Sequence, residues 1–414
     1  MMTSRPELLA PAGDAERLES ALLYGADAVY LGGQLFNMRA ATESFNDETL
    51  RDAVKKCHNK GVAVHLVANT LPRNNEVESL PHFFEVAKDA GVDAFIIADI
   101  GVMRMAQKYA PGVDIHMSTQ TGVVNYETAS ALYDLGAKRI VMAREVCLDD
   151  IAEIRAKTPK ELEIECFVHG AMCMSFSGRC MLSNYLTGRD ANRGDCAQPC
   201  RWKYHLVEEK RPGQFFEITD SKDGTYILNS QDMCMIEHIP ELVAAGVDSF
   251  KIEGRAKSAY YAAAVTNAYR AAIDEYKKNP SMDFKPSQWI IDEMRKISYR
   301  DYCTGFYFNN PNENAHVYYD GIYIREWDII ANVNGWKNGY LEVIQRNRFF
   351  KGDELEVLMP QTEPFTITVT EMLNEKGEEV DVAPNPMAII KIKCDKEIPA
   401  GAILRKEKDD NVND

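Results

Sequence analysis

The residues with the clearest chemical potential in this 414-residue chain are its clustered cysteines. Half of the ten lie close together, at Cys166, Cys173, Cys180, Cys196 and Cys200. Cys166 belongs to an apolar run and is predicted to be a core residue. The other four have the spacing Cys-x6-Cys-x15-Cys-x3-Cys, interrupted by glycines and Pro199. Four thiolates suit tetrahedral zinc or an iron–sulfur cluster, and the spacing alone leaves both open, with four unrelated buried thiols as a less favoured third possibility.

Polar residues at the ends of predicted strands form a second candidate site. We predict His169, Glu253 and Gln120 as catalytic residues, and Arg144, Lys251 and Arg255 as substrate-binding residues, with Asp99 nearby. Arginine pairs with carboxylates or phosphates through two parallel hydrogen bonds, and histidine can act as acid, base or ligand. Ion pairs that close a barrel rim are the alternative for each residue taken singly. For the set, a ligand site is favoured.

A third group is basic and aromatic. Around the cysteines lie the cations Arg179, Arg189, Arg193, Arg201 and Lys203, with Trp202 and Tyr204 among them. Positive charge beside stacking rings suits a single-stranded nucleic acid loop, and we predict these five cations as RNA-binding residues. A solvated surface is an equally good explanation of the pattern.

Composition and missing motifs exclude several classes of function. The formal charge of −16 disfavours a protein that coats DNA. No apolar run approaches the roughly 18 residues of a spanning helix, and the N-terminus lacks a signal-peptide layout, so we expect a cytoplasmic chain with reduced thiols. We find no His-Glu-x-x-His, Gly-x-Ser-x-Gly, P-loop or Cys-x3-Cys-x2-Cys motif.

The elements that must position these residues follow a repeated pattern in which a helix ends at glycine and a buried strand begins. It recurs at Gly25, Gly91, Gly136 and Gly246. Eight strands are predicted to start near Glu7, Ala28, Val62, Ala94, Val113, Arg139, Leu162 and Ser249. Eight strands that alternate with helices predict an α/β fold with a TIM-like (β/α)8 barrel over residues 1–278, and a doubly wound open sheet is the alternative.

The remaining segments interrupt or follow this barrel. Residues 170–235 are predicted to be a cysteine-rich insertion after the seventh strand, with a hairpin around Arg211-Pro212-Gly213. Residues 279–320 read as a connecting segment. Short alternating runs then predict a small C-terminal antiparallel β-barrel over 321–406, and 407–414 read as a charged tail.

Several long motifs resemble the collagenase-like U32 peptidase family. They begin at Glu165-Cys166-Phe167-Val168-His169-Gly170, Ser177-Gly178-Arg179-Cys180, Cys196-Ala197-Gln198-Pro199-Cys200 and Lys251-Ile252-Glu253-Gly254-Arg255. The length and the C-terminal domain resemble the branch of prephenate-dependent tRNA hydroxylases that form 5-hydroxyuridine at the wobble position. The resemblance implies a 4Fe-4S cluster held by Cys173, Cys180, Cys196 and Cys200, with Cys234 as a reserve ligand.

The resemblance also implies partners. These are tRNA and a small dicarboxylate co-substrate such as prephenate, whose carboxylates give the mouth arginines a counterpart. No membrane or DNA partner is expected, and pairing with a second copy or a related subunit is open. Two alternative functions remain: a collagenase-like peptidase, and a zinc-stapled RNA-binding protein without enzymatic activity.

Overall fold

A computed structural model describes residues 6–38, 45–173, 175, 180–202, 206–207, 215–216, 231–308 and 323–408. Across that part of the chain, every helix is too short or too polar to cross a bilayer.

The core of the molecule is a closed barrel of parallel strands. The strands of the first 303 residues are β1 (Glu7–Pro11), β2 (Ala28–Gly32), β3 (Ala63–Ala68), β4 (Ala94–Ile97), β5 (Asp114–Met117), β6 (Arg139–Val141), β7 (Glu163–Ala171), β8 (Leu206–Val207), β9 (Phe215–Phe216), β10 (Asp232–Cys234), β11 (Ser249–Ile252) and β12 (Tyr302–Cys303). Strands β1 to β7 pair in order, and β11 pairs in parallel with both β1 and β7. This confirms the predicted (β/α)8 barrel over the open sheet, and each predicted strand start is within one residue of the observed one.

Helices surround this barrel. They are α1 (Ala15–Leu23), α2 (Asp47–His58), α3 (Asn74–Val77), α4 (Leu80–Ala90), α5 (Ile100–Tyr109), α6 (Tyr126–Asp134), α7 (Leu148–Lys157), α8 (Leu182–Thr187), α9 (Ile239–Ala244), α10 (Ala259–Lys278) and α11 (Gln288–Glu293). Helix α4 is an example of the pattern predicted from the sequence. It ends at Gly91, whose φ of 85° lies in the left-handed region that glycine adopts with little strain. Its buried Leu80, Phe84 and Ala87 face the sheet, and Phe84 meets Phe95 of β4 edge-on at 4.9 Å.

Alternation along the strands divides the barrel core into two faces. Residues such as Phe95 and Ile97 point outward to the helices. The inward positions include an apolar group of Leu9, Ala28, Tyr30, Val67 and Ile96. They also include buried charged and polar side chains on β3, β5, β6, β7 and β11, so the barrel interior is not a purely apolar core.

One irregularity in β7 changes which face its last residues present. Lys251 of β11 pairs with Phe167, but the next residue, Ile252, pairs with His169, so β7 carries one extra residue at this point. A bulge of this kind shifts the following side chains to the other face of the strand. His169 therefore shares the outward face with Ile252 rather than the inward face with Phe167.

The insertion after β7 returns to the barrel edge. Strand β10 pairs antiparallel with the end of β7 and in parallel with β12. The described residues of β8 and β9 pair antiparallel, which supports the predicted hairpin, whereas its turn at 211–213 lies outside the described residues. The segment 279–320, predicted as a connection, contributes α11 and β12.

The C-terminal domain is a curled antiparallel sheet. Its strands are β13 (Trp327–Lys337), β14 (Tyr340–Gln345), β15 (Phe349–Phe350), β16 (Glu354–Leu358), β17 (Phe365–Thr368), β18 (Met372–Leu373), β19 (Val382–Ala383), β20 (Ile389–Lys393) and β21 (Ile403–Glu407). The main sheet has the order β17-β16-β21-β13-β14-β20-β18. Sequence patterning missed β21, which lies centrally between β16 and β13. Glu407, predicted to begin the charged tail, is the last residue of that strand, and residues 409–414 lie outside the described residues.

Buried charges join this domain to the barrel. The Arg405 guanidinium is fully buried and donates to Glu293 of α11 (Nη1 to Oε2, 2.8 Å) and to Glu356 of β16 (Nε to Oε1, 2.8 Å). Tyr24, which follows the last residue of α1, donates its hydroxyl to the Leu358 and Gly401 carbonyls, both at 3.1 Å. The C-terminal sheet therefore covers α1 and α11 on the outside of the barrel.

Candidate functional site at the barrel mouth

The mouth of the barrel, where the parallel strands end, holds an amide cluster centred on Gln120. Its side chain is buried and accepts hydrogen bonds from Asn69 (2.8 Å) and Ser118 (3.1 Å), and its amide also contacts the Met38 sulfur. The short 3₁₀ turn Thr119–Thr121 after β5 places it there. Gln120 is thus held in one orientation at the mouth, and its predicted catalytic role stays a prediction.

The predicted arginines also reach the mouth. Arg255 is buried and donates to the Asn37 side chain at 2.6 Å. The guanidinium of Arg144 lies 4.0 Å from the centre of the Phe167 ring and donates to the Ala171 carbonyl at 2.8 Å. The buried Nε of Arg144 has no hydrogen-bond partner. A buried guanidinium N–H left in this way favours an oxyanion or carboxylate.

Two predicted residues near the mouth take part in contacts with the backbone: Glu253 through its carbonyl group and Asp99 through its side chain. A side chain at Gly170, where φ is 112°, would come within 2.7 Å of the Glu253 carbonyl oxygen, so glycine allows β7 and the residues after β11 to approach closely. The Tyr261 hydroxyl donates to the same carbonyl at 3.0 Å. Asp99 caps α5 by accepting a hydrogen bond from the Val102 N–H at 3.0 Å. This capping role accounts for a carboxylate at that position, so a bound ligand is not needed to explain it.

Below the mouth, Lys251 lies inside the barrel in a chain of charges. Its ammonium donates to Glu165 at 2.6 Å, and Arg139 contacts the other oxygen of Glu165 at 3.1 Å. Burial lowers the pKa of Lys251 although Glu165 opposes this. Burial alone would raise the pKa of Glu165, but the two cations outweigh it and hold that pKa below its ordinary value. Lys251 is therefore committed to an ion pair below the mouth.

His169 is the residue for which the sequence prediction fails most clearly. It was expected at the mouth, but the bulge in β7 turns its ring outward among Tyr261, Tyr269 and Tyr302, with ring centres 5.9, 5.6 and 5.5 Å away. Burial lowers its pKa to about 3, so it is neutral at physiological pH. These contacts do not support a general acid or base at the mouth.

The cysteine-rich segment lies at the same end of the barrel. Three contacts link the stretches that carry Cys180, Cys196 and Cys200: Asn192 donates to the Cys180 carbonyl at 2.8 Å, the Ala197 N–H donates to the Ser183 hydroxyl at 3.0 Å, and α8 packs against the 3₁₀ turn Pro199–Arg201. The fourth cysteine, Cys173, follows β7 by two residues. None of the four forms a disulfide with a described residue, and all are partly or fully exposed.

Backbone N–H groups donate to two of the sulfurs in this segment. The Leu182 N–H donates to the Cys180 sulfur at 3.4 Å and the Gln198 N–H to the Cys196 sulfur at 3.3 Å. Partial burial opposes ionisation of Cys180, but hydrogen bonds from Ser175 and from backbone N–H groups outweigh it and lower the pKa. Such donors fit the sulfurs that hold zinc or an iron–sulfur cluster.

The reserve ligand Cys234 differs from these thiols. Burial raises its pKa to about 12, and its sulfur lies 3.9 Å from the Tyr269 hydroxyl. It lies in β10 opposite His169. The structure therefore gives Cys234 the environment of an inert core thiol and does not favour it as a ligand.

Among the predicted RNA-binding cations, Arg189 and Arg193 already form ion pairs. Arg189 contacts Asp195 at 2.6 Å, both exposed. Arg193 binds both carboxylate oxygens of Glu76 in α3, one of them at 2.9 Å, and its hydrogen bonds lower the pKa of Glu76 to about 2. This pair attaches the cysteine-rich segment to the barrel. Arg179, Lys203 and the side chain of Arg201 lie outside the described residues, so RNA contact by the set stays a prediction.

Sequence reasoning missed the polar interior of the barrel, formed by His65, His116, Arg139 and Glu165. Burial lowers the pKa of both histidines, so both rings are neutral. A signal was available, because His65 occupies an inward position of its strand and Glu165 alternates with buried Ile164 and Cys166. A prediction of strands that are apolar on both faces does not account for these alternating polar residues.

Comparisons with known proteins agree over nearly the whole chain. The model of peptidase family U32 matches residues 13–317, and that of the U32 C-terminal domain matches residues 325–405. The chain is 36% identical over 410 residues to "tRNA hydroxylation protein P1" of Bacillus subtilis, covering 99% of this chain and 96% of the relative. It is 32% identical to "tRNA hydroxylation protein P" of Escherichia coli, covering 92% of each chain. It is also 31% identical to a "Collagenase" of Porphyromonas gingivalis, covering 86% and 87%.

Proposed function

This chain belongs to peptidase family U32, and from that membership we propose that it is an RNA-modifying enzyme that hydroxylates tRNA. The finer proposal is that it forms 5-hydroxyuridine at the wobble uridine. The observation that carries it is the cysteine-rich segment, where backbone N–H groups donate to the Cys180 and Cys196 sulfurs, beside a barrel mouth that holds the buried Arg255 and the half-buried Arg144.

The relatives support an RNA substrate in preference to a peptide. Two relatives whose names include tRNA hydroxylation align over at least 92% of this chain, including the C-terminal domain. The collagenase relative is also long, so the shared fold does not decide between the two activities. The choice between RNA hydroxylation and proteolysis therefore depends on the residues of the site.

Three of the described histidines give no support to a peptidase that uses a protein nucleophile. Such a peptidase needs an activated nucleophile beside a base. Among the described histidines, His58 and His238 hydrogen-bond to Asp93 and Glu241, and His169 is enclosed by tyrosines. None of these three is placed as the partner of a serine or cysteine nucleophile.

We propose Cys173, Cys180, Cys196 and Cys200 as the ligands of a 4Fe-4S cluster. When bound, such a cluster would supply one-electron chemistry near the mouth. The residues of the chain would hold it through the N–H donors at Cys180 and Cys196 and through the Ser183–Ala197 contact. The same thiolates would accept zinc, which defines the second candidate, an RNA-binding protein without enzymatic activity.

The co-substrate proposal rests on the mouth arginines. A dicarboxylate such as prephenate would place one carboxylate against the Arg144 guanidinium, which has an unpartnered buried N–H, and the other near Arg255. The rigid Gln120 amide lies at the same mouth and would orient the bound molecule. A splayed wobble base would approach from the side of the cysteine-rich segment, where Trp202 is exposed.

Nucleoside analysis of tRNA tests the activity directly. A strain without this gene, and without any paralogue, should lose the 5-hydroxyuridine derivatives, and the wild-type gene should restore them. The variant Cys180→Ser should fail to restore them, whereas Cys147→Ser, a cysteine outside the segment, should succeed. Unchanged 5-hydroxyuridine in the deletion strain would refute the proposal.

Metal analysis separates the cluster from zinc. Protein purified without oxygen should contain iron and acid-labile sulfide and absorb visible light, and Cys180→Ser should reduce all three. Stoichiometric zinc in a colourless sample would replace the iron–sulfur proposal by the zinc-stapled one. Gelatin cleavage abolished by a single substitution would favour the peptidase.

A further inference from the structure

The barrel interior holds a second set of metal-ligand side chains, far from the cysteines. His65 of β3, His116 of β5 and Glu165 of β7 are 3%, 3% and 0% exposed. Their ligand atoms all lie within 4.8 Å of one another. We infer that this triad is a binding site for a divalent first-row transition metal. The inference does not rest on the proposed function.

Barrel geometry explains why these three residues meet. The strands of such a barrel contribute inward side chains in layers, and each layer takes its members from alternate strands. Strands three, five and seven supply the triad. Glu165 precedes Phe167 and Lys251 in the direction of the mouth, so the triad lies in the lower half of the barrel. Seven residues of mostly extended chain lie between Glu165 and Cys173, which corresponds to on the order of 25 Å.

Unmet hydrogen bonding points to a ligand at the triad. The Nδ1 atoms of His65 and His116 are both buried without a hydrogen-bond partner. A buried polar atom left in this way destabilises the fold unless a ligand satisfies it. The rings meet edge-to-face with centres 4.6 Å apart, and neither Nδ1 atom hydrogen-bonds to the other ring. A metal ion would use one nitrogen lone pair from each ring.

The ligand types define the class of ion. Two imidazoles with one carboxylate bind zinc, and the same set with open positions binds ferrous iron. Metal–ligand bonds of about 2.0–2.2 Å place neighbouring ligand atoms roughly 3–3.5 Å apart, so the three side chains must close in by about 1 Å. Magnesium and calcium, which prefer oxygen ligands, are not expected here.

Two cations next to Glu165 weaken the site. Lys251 and Arg139 contact its two oxygens at 2.6 and 3.1 Å. Arg139 also contacts Glu7 and Glu163, both at 2.6 Å, so it keeps two carboxylates if Glu165 turns toward a metal. Lys251 has no second ion pair of that kind among the described residues. The Lys251 charge is therefore the main opposition to metal binding, and its removal should strengthen the site.

Cobalt titration of the full-length, reduced protein tests this inference. Cobalt bound by thiolates gives intense sulfur-to-metal charge-transfer absorption, whereas cobalt bound by imidazole and carboxylate does not. We expect about one equivalent of Co²⁺ bound without that absorption, in addition to any bound by cysteines. The double variant His65→Gln/His116→Gln should lose this equivalent, with affinity at least about tenfold weaker. His58→Gln, which changes an exposed histidine of α2, is the matched control.

A second variant keeps the test decisive if the double variant does not fold. Lys251→Met removes the competing charge and should bind Co²⁺ at the thiolate-free site at least several-fold more tightly than the wild type. The inference is overturned if all bound cobalt shows the thiolate signature, if the folded double variant binds as the wild type does, or if Lys251→Met leaves the affinity unchanged.

Discussion

The Ser183 hydroxyl should decide whether the cysteine-rich segment holds a metal. Ser183 is fully buried in α8 and accepts the N–H of Ala197, the neighbour of Cys196, at 3.0 Å. Replacing it by alanine removes the acceptor and leaves that N–H without a partner. Because α8 begins two residues after Cys180, the bond links the stretches of chain that carry Cys180 and Cys196.

The expected magnitude follows from the net worth of one hydrogen bond to a half-buried N–H group, about 0.5–1.5 kcal/mol. Since about 1.4 kcal/mol changes an equilibrium constant tenfold, Ser183→Ala should favour the opened segment by roughly 2- to 12-fold. The metal bound by the purified protein should be lost to a chelator faster by a factor in this range.

Two measurements check the prediction. The first is the rate at which a chelator removes metal from anaerobic protein, and the second is hydrogen exchange at the Ala197 amide of the metal-free chain. Ser20→Ala is the control, because that hydroxyl is exposed and bonds only to Glu16 of its own helix. If Ser183→Ala retains metal and protects the Ala197 amide as well as the wild type does, the assigned role of this contact is wrong.

Three further predictions concern stability, each measured by urea unfolding. Arg405→Met leaves the fully buried Glu293 carboxylate with Lys296, 3.4 Å away, as its remaining ion-pair partner, and should lower the free energy of unfolding by about 3–5 kcal/mol. A second substitution, Glu293→Gln, should restore most of this loss. A loss below about 1 kcal/mol for Arg405→Met would contradict the prediction. Burial opposes ionisation of Glu7, but Arg139 outweighs it and lowers the pKa of Glu7 from 4.5 to about 2. The ionised carboxylate therefore stabilises the fold above pH 4.5, and this contribution, at most about 3 kcal/mol, disappears as the pH falls from 4.5 to 2. Glu7→Gln should flatten the stability profile in that window, and an unchanged profile would refute the assignment. Burial lowers the pKa of His169 from 6.5 to about 3, so the unfolded chain binds the extra proton between these values and stability should increase as the pH rises from 3 to 6.5. His169→Phe should reduce this slope, and an unchanged slope would refute the assignment.

The barrel was predictable because its signals are local. A glycine that ends a helix and an apolar run that follows it depend on a few neighbouring residues, and Gly25, Gly91, Gly136 and Gly246 all have positive φ as expected. Strand β21 was missed because its polar residues resemble a tail. Arg405 within it is buried only because carboxylates from α11 and β16, far away in sequence, reach it.

The site was only partly predictable for a related reason. The position of Arg144, Gln120 and Arg255 at the mouth follows from where their strands end. The orientation of His169 depends on a single extra residue in β7, and that bulge appears only when the strand is paired with β11. A motif that contains a histidine therefore indicates the strand but not the face of the strand on which the ring lies.

The buried contact between Arg405 and Glu293 also bears on how this protein could be divided or recombined. An isolated barrel would expose the carboxylate of Glu293 and lose the carbonyl acceptors of Tyr24, while an isolated C-terminal sheet would expose the guanidinium of Arg405. The two parts are matched by charge at particular positions. A C-terminal domain transplanted from another family member would serve as a working module only if it carried a basic residue at the equivalent point of its last strand.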